Sequence, residues 1–168
     1  MSKPQVLILM GSDSDFETMN EAAVALKQFG IEYEIEVASA HRSPARTSKL
    51  TREALGRGIR CIIAGAGGAA HLAGVIAAET TLPVIAVPIA STPLAGFDSL
   101  LAMVQMPAGI PVATVAVGKA GATNAGILAA QMIGLSDPEV ARKLVAYKEK
   151  LAKGVEEKSA KLKEKLAK

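Results

Sequence analysis

This chain of 168 residues has no tryptophan, and all aromatic residues together make up 3% of it. A core so poor in large rings has to be filled mainly by Ala, Val, Ile and Leu, which suits helices packed closely on a sheet. There is one cysteine, Cys61. It excludes an internal disulfide and, inside the apolar run "CIIAG", reads as a small buried residue. With two histidines beside it, the chain lacks the ligand spacing of a zinc site, so no metal is expected. It also lacks a Walker A sequence, a G-x-S-x-G elbow and paired carboxylates in one plausible site. The longest apolar stretch, 61 to 78, is long enough to span a bilayer. Its glycines and His71 break it into a strand, a loop and a helix start instead. No leader is expected either, because Lys3 and Pro4 run straight into a strand pattern. These absences predict a cytoplasmic protein with no membrane partner.

Half of the residues are hydrophobic, which in one domain-sized chain points to surface buried between subunits. The formal charge of +3 is unevenly placed. From Asp137 to Lys168 there are ten Lys/Arg and six Asp/Glu, whereas residues 1 to 136 carry nine and ten. The body therefore has no cationic footprint for nucleic acid. The basic tail reads as a solvated helix face.

What is present is a strict alternation. "QVLILM" (5–10) is a continuous apolar run, as expected of a strand buried on both faces. Residues 16 to 29 read as a helix with Ala22, Ala23, Leu26 and Phe29 on one face. "IEYEIEV" (31–37) alternates and looks like a half-exposed strand near a sheet edge. A helix from Pro44 to Arg57 follows, with Pro44 suited to its first turn. "RCIIA", "PVIAVP" (83–88) and "VATVAV" (112–117) complete five strands. Helices are expected up to Thr80, over 98–105, and after "GKAGATNAG" as far as Met132. The pattern predicts an α/β, three-layer α-β-α fold with a five-stranded parallel sheet, flavodoxin- or Rossmann-like.

The last segment departs from that scheme. "SDPE" (136–139) has the form of a capping box with Ser136 as N-cap. Val140, Leu144, Tyr147, Leu151 and Val155 then form one helical stripe. Such a helix, running to the end at about 1.5 Å per residue, would be about 46 Å long. One domain cannot cover that length. Two readings stay open beyond Gly154: packing on a neighbouring subunit, or a lysine-rich solvated tail. The expected division is a catalytic domain over 1–134 and a C-terminal helical extension over 135–168.

Open parallel sheets bind ligands beyond the carboxyl ends of their strands, and three loops there carry most of the interesting polar residues. In "GSDSD" (11–15), Ser12 and Ser14 offer hydroxyls beside a helix start, a natural anion site. Ser14 with Glu17 also fits a capping box, a purely structural role. Asp15 would repel a phosphate and suits ribose hydroxyls. In "SAHRSP" (39–44), Arg42 is a planar cationic fork well shaped for phosphate. His41 beside it is either a proton carrier, kept neutral by the adjacent charge, or an ordinary hydrogen-bonded residue. In "GAGGAAHLAG" (65–74), Gly65, Gly67 and Gly68 let backbone approach a ligand. Their spacing mimics a dinucleotide fingerprint but follows the third strand and lacks the acidic residue about 20 positions on. These residues alone predict a metal-free pocket for a small ribose phosphate, with one or two histidines as proton carriers. They do not name a reaction.

Six segments together carry a resemblance: "MGSDSD" (10–15), "SAHRSP" (39–44), "AGAGGAAHL" (64–72), "DSLLAMVQMP" (98–107), "PVATVAVGKAGATNA" (111–125) and "LAAQMIG" (128–134). In order and spacing over residues 5 to 134 they closely resemble the class I N5-carboxyaminoimidazole ribonucleotide mutases, the phosphoribosylaminoimidazole carboxylase catalytic subunit family of purine biosynthesis. The resemblance implies a flavodoxin-like fold in a dihedral octamer whose C-terminal helix reaches across neighbouring subunits. It implies an isomerase that moves a carboxylate from the exocyclic nitrogen of an imidazole to a ring carbon, without ATP, biotin, metal or other cofactor. It also implies a functional link to an ATP-dependent synthetase that makes the substrate. By position, Ser14, Ser39 and Arg42 would hold the phosphate and Asp15 the ribose hydroxyls. Ser12 and the glycine loop (Gly65, Gly67, Gly68, Ala69, Ala70 and Leu72) would line the base and carboxylate pocket. His41 matches the general acid/base, and His71 sits in the loop that closes on the ligand.

Three positions depart from the family pattern. Ser43 stands where Thr is usual, Ala86 where Gly is common, and Ala73 where a proline normally follows His-Leu. The last puts the rigidity of the His71 loop in question. Class II relatives, which carboxylate aminoimidazole ribonucleotide directly with CO2, carry Lys-Gly where this chain has Arg42-Ser43. A non-catalytic nucleotide-binding module is the rival from outside enzymology, and a purely structural assembly protein would explain the tail but not the loops.

Overall fold

The computed structural model describes residues 3–166. β1 (Val6–Met10) is buried at every position, as its unbroken apolar run requires. α1 (Phe16–Phe29) and α2 (Pro44–Arg57) have the predicted bounds, and Pro44 occupies the first turn of α2. Between them lies β2 (Tyr33–Val37). β3 (Cys61–Gly67), α3 (Leu72–Glu79), β4 (Val84–Ile89), α4 (Phe97–Val104), β5 (Ala113–Thr114), α5 (Lys119–Gly134) and α6 (Pro138–Leu166) complete the chain.

All five strands are parallel, in the order β2-β1-β3-β4-β5. Ile8 on β1 faces Ile35 of β2 on one side and Ile63 of β3 on the other. β2 is an edge strand, as its alternating sequence predicts. Its acidic residues meet α2: Arg46 pairs with Glu36 at 2.6 Å, and Arg57 pairs with Glu34.

Because strand side chains alternate, β1, β3 and β4 each supply two cores. Val6, Ile8, Met10, Ile63, Ile85 and Val87 pack with α1 and α5 on one face. Leu7, Leu9, Ile62, Ala64, Val84 and Ala86 pack with α2, α3 and α4 on the other. Cys61 is fully buried, as expected, and burial pushes its thiol up to about 12. Ala73 is also fully buried, and α3 begins at Leu72 without the usual proline.

Several sequence expectations need correction. β5 is two residues long, not six, and pairs with β4 through Ala113 and Thr114 alone. "GKAGATNAG" is not a loop: α5 begins at Lys119 and contains most of it. Likewise β3 runs on through Gly67, so Gly65 and Gly67 are strand residues. Ser136 does not cap α6. Asp137 does, its carboxylate accepting from the backbone N–H groups of Glu139 (3.0 Å) and Val140 (3.2 Å).

α6 is continuous over 29 residues, about 44 Å at about 1.5 Å per residue. Val140 is buried, Leu144 and Tyr147 pack on the α1/α5 core, and Tyr147 meets Phe29 edge-on at 5.5 Å. Leu151 and Val155 are 48% and 67% exposed, so the apolar stripe outruns the domain that bears it. The first two residues of the 1–134 division and the last two of 135–168 lie outside the described residues.

The α1/α5 contact is made close by small residues. A Cβ on Gly126 would lie 2.6 Å from the carbonyl oxygen of Ala22 and 2.8 Å from the Cβ of Ala25. Backbone cannot yield as a flexible side chain does, so Gly126→Ala should prise the helices apart. The expected loss is about 1–3 kcal/mol, read as a lower urea midpoint at unchanged slope. An unchanged midpoint would show that the helices are not held this tightly.

Candidate active site

The order β2-β1-β3 means that the chain leaves β1 in one direction along the sheet and returns in the other, which opens a crevice at the strands' carboxyl ends. A cleft of about 330 Å³ lies there, within the range of small-molecule sites. The segments after β1, β2, β3 and β4 all contribute to it. Gly11, Ser12, Ser14 and Asp15 come from the first, Ser39, Ala40, His41 and Arg42 from the second. Ala66 and Gly67 come from the end of β3 itself, Ala69, His71 and Leu72 from the segment after it, and Ser91 from the one after β4.

Arg42 ties two of these loops together. Its Nη2 donates to the Gly11 carbonyl at 2.9 Å, while its backbone N–H and Nε donate to Ser39 Oγ at 3.1 and 3.4 Å. The guanidinium is thus held along its Nε–Nη2 edge in the cleft lining, a planar cation suited to an anion. Ser14 Oγ donates to Ser12 Oγ at 2.9 Å, and Ser12 Oγ accepts from the Ser14 backbone N–H at 3.3 Å. Ser12 is therefore the cap of the short 3-10 turn Asp13–Asp15. The structural role expected of Ser14 is not realised. Its would-be partner Glu17 instead pairs with Lys119, which pulls that carboxyl below its ordinary range.

Asp15 is buried, 8% exposed, with Oδ2 lying over Gly11. Desolvation raises its pKa; the Ser12 backbone and the Arg42 charge act the other way, and Asp13 adds to the rise. A buried carboxylate facing a cleft gains from donors such as vicinal hydroxyls, which would replace the water it has lost.

The two histidines meet. His41 Nε2 lies 2.9 Å from His71 Nδ1, with the rings edge to face at 5.0 Å. Such a contact requires a hydrogen on one nitrogen and a lone pair on the other. A proton can therefore pass between a residue on the β2 loop and one on the β3 loop. Nothing in the sequence signals this contact, since the partners are 30 residues apart.

Of the expected binding residues, Gly65, Gly68 and Ala70 do not line the cleft. A Cβ on Gly65 would lie 2.2 Å from Met19 Sδ, so this glycine serves the packing of α1 on the sheet. Gly68 turns the chain out of β3 at φ 58°, and Ala70 is 1% exposed in the core. Among the described residues no three His, Cys, Asp or Glu side chains converge to hold a metal, and no helix is long and apolar enough to cross a membrane.

The AIR carboxylase family model matches residues 5–154. The chain belongs to the AIR carboxylase family. It is 54% identical over 159 residues to the N5-carboxyaminoimidazole ribonucleotide mutase of Thermotoga maritima, spanning 95% of this chain and 92% of that one. It is 53% identical to the mutase of Bacillus subtilis, spanning 95% and 99%. A crystal structure of PurE from Treponema denticola superposes with a TM-score of 0.86 at 36% identity, over 96% of this chain and 99% of that one. The parallel sheet with its long C-terminal helix, flavodoxin-like as read from the sequence, is thus the fold of the family.

Sequence reasoning missed four lining residues. Gly11, Ala40 and Ala66 are small residues beside expected ones. Ser91 follows the fourth strand, and the rule that led to the other loops would have reached it.

The raised pKa of Asp15 has a stability consequence. Below its ordinary value near 3.8 the group is protonated in both folded and unfolded chains, and burial carries no charge penalty. As pH rises from there through the raised folded value, the native state holds the proton more tightly and stability falls. Asp15→Asn should therefore raise the melting temperature at pH 7, and the gain should fade as pH approaches 3.8. A variant that melts lower at pH 7 would contradict the desolvation account.

Proposed function

We propose that the chain is an N5-carboxyaminoimidazole ribonucleotide mutase of purine biosynthesis, acting in the cytoplasm as a homo-oligomer. The observation that carries this reading is the His41–His71 contact, placed in one cleft with Arg42, Ser12, Ser14, Ser39 and Asp15. Relatives bearing that enzyme's name at 52–54% identity over most of the chain support it.

The substrate's phosphate binds Arg42, Ser14 and Ser39, and its ribose hydroxyls donate to Asp15. Ser12, Gly67, Ala69 and Leu72 face the base and its carboxylate. Protonation of the carbamate nitrogen by His41 breaks the N–C bond and releases CO2 and aminoimidazole ribonucleotide within the cleft. The ring carbon attacks CO2, and the proton on that carbon returns to His41. No proton is consumed overall, and His71 shares the one in transit. Retention of CO2 decides the outcome, because loss to solvent turns the isomerisation into a decarboxylation.

The wider assembly follows the same reading. The uncovered stripe at Leu151 and Val155 packs on neighbouring subunits of an octamer, with 135–168 as the extension that reaches them. An ATP-dependent synthetase supplies the N-carboxylated substrate.

The test is a purified-protein assay with N5-carboxyaminoimidazole ribonucleotide lacking bicarbonate, and separately with aminoimidazole ribonucleotide plus bicarbonate. Conversion of the first at low enzyme, without ATP, is expected. His41→Asn should bind the nucleotide but lose about 10²–10⁴-fold in kcat. Use of the second substrate alone would make the protein a direct carboxylase; nucleotide binding without turnover of either would make it a binding module.

A further inference from the structure

Ser91 is the cleft residue without an assigned task. Its backbone N–H donates to the Ile89 carbonyl at 3.1 Å, a tight turn that fixes it just beyond β4. Ile89 is the register partner of Gly67 on β3, and Ser91 folds over that glycine. A Cβ on Gly67 would lie 2.0 Å from Ser91 Oγ and 2.7 Å from Ser91 Cβ, so the glycine is what admits the hydroxyl to the cleft wall.

The other hydroxyls of the cleft are already engaged. Ser12 and Ser14 bond to each other, and Ser39 accepts from Arg42. Among the described residues, Ser91 Oγ has no partner. It also stands at the β4 side of the cleft, with β1 and β3 between it and the Arg42–Ser39 clamp on β2. A nucleotide whose phosphate is held at the β2 side turns its other end toward the Gly67–His71 segment on which Ser91 rests.

We propose that Ser91 is a further substrate-binding residue, its hydroxyl donating to the carboxylate of the carboxylated aminoimidazole and then to an oxygen of the released CO2. This rests on the mutase reading above. The chemistry favours a neutral donor there. A lysine would hold the carbamate's negative charge and oppose its conversion to uncharged CO2, whereas a hydroxyl can donate to both species. The hydroxyl takes no part in the bonds that change. The N–C bond breaks, nitrogen gains a proton, the C–C bond forms and the ring carbon loses its proton. Ser91 keeps its own hydrogen throughout.

The test compares Ser91→Ala with the parent protein by calorimetric titration with two ligands, 4-carboxyaminoimidazole ribonucleotide and aminoimidazole ribonucleotide, which lacks the carboxylate. Affinity for the first is expected to fall about tenfold or more, as for a lost hydrogen bond to a charged group. Affinity for the second should stay within about twofold, which also shows that the variant is folded. In the assay with N5-carboxyaminoimidazole ribonucleotide, the ratio of free aminoimidazole ribonucleotide to 4-carboxy product should rise severalfold. Equal losses for both ligands, or no loss for either together with an unchanged product ratio, would overturn the assignment while leaving the mutase reading intact. Failure of the parent protein to bind either nucleotide would remove both.

Discussion

The site depends on β1 and β3 lying side by side. Their register places Met10 opposite Gly65, and the Gly11 N–H extends the pairing one step further by donating to the Gly65 carbonyl at 3.2 Å. That bond sets where the first loop leaves the sheet, and hence the position of Ser12, Ser14 and Asp15. The Gly11 carbonyl then holds Arg42, which carries the β2 loop and with it His41. Met19 of α1 sits over Gly65 with no room for a Cβ between them. One strand pairing therefore positions the loops that line the cleft, and small residues along it let Met19 of α1 and the Ser91 side chain come close to the sheet.

The cleft carries little charge: one cation, Arg42, and one buried anion, Asp15, with two histidines beside them. This sparse set fits a reaction with no net transfer of protons or electrons to solvent. A decarboxylation and recarboxylation on the same molecule needs a clamp at the unreactive end, one mobile proton and a closed volume. Strong fixed charges near the reacting carboxylate would favour the anion over CO2 and stall the cycle. In the proposed cycle, the contact between the histidines is the route by which that proton moves.

Most of the fold was legible in the sequence because its main signals are local. Apolar runs gave away the buried strands, 3.6-residue spacing the helices, and alternation the edge position of β2. The failures have physical causes of their own. "GKAGATNAG" looked like a loop because glycine and alanine carry no amphipathic signature, yet these small residues are what let α5 lie close against α1. The Ser-x-x-Glu patterns at Ser14 and Ser136 looked like caps because the pattern is blind to neighbours. Lys119 claims Glu17, and Asp137 lies one residue closer to the helix start than Ser136. The candidate site was legible loop by loop but not as a constellation. Gly65, expected to meet a ligand, meets Met19 instead, because sequence shows that a glycine permits close approach without showing what approaches.

α6 shows the same limit from the other side. Its stripe from Val140 to Val155 is one periodic feature in the sequence, but the structure divides it. Val140, Leu144 and Tyr147 meet the α1/α5 core, and Lys143 reaches the Phe29 carbonyl at 3.1 Å, closing the end of α1. Leu151 and Val155 have the same spacing but remain 48% and 67% exposed. A helix rich in lysine and glutamate can remain helical there through its own hydrogen bonds and charge pairs, but apolar residues kept in register beyond the domain's edge gain nothing in an isolated chain. The continuity of the stripe past the point where the domain can use it is the physical argument for a second surface, and it is independent of any likeness to known proteins.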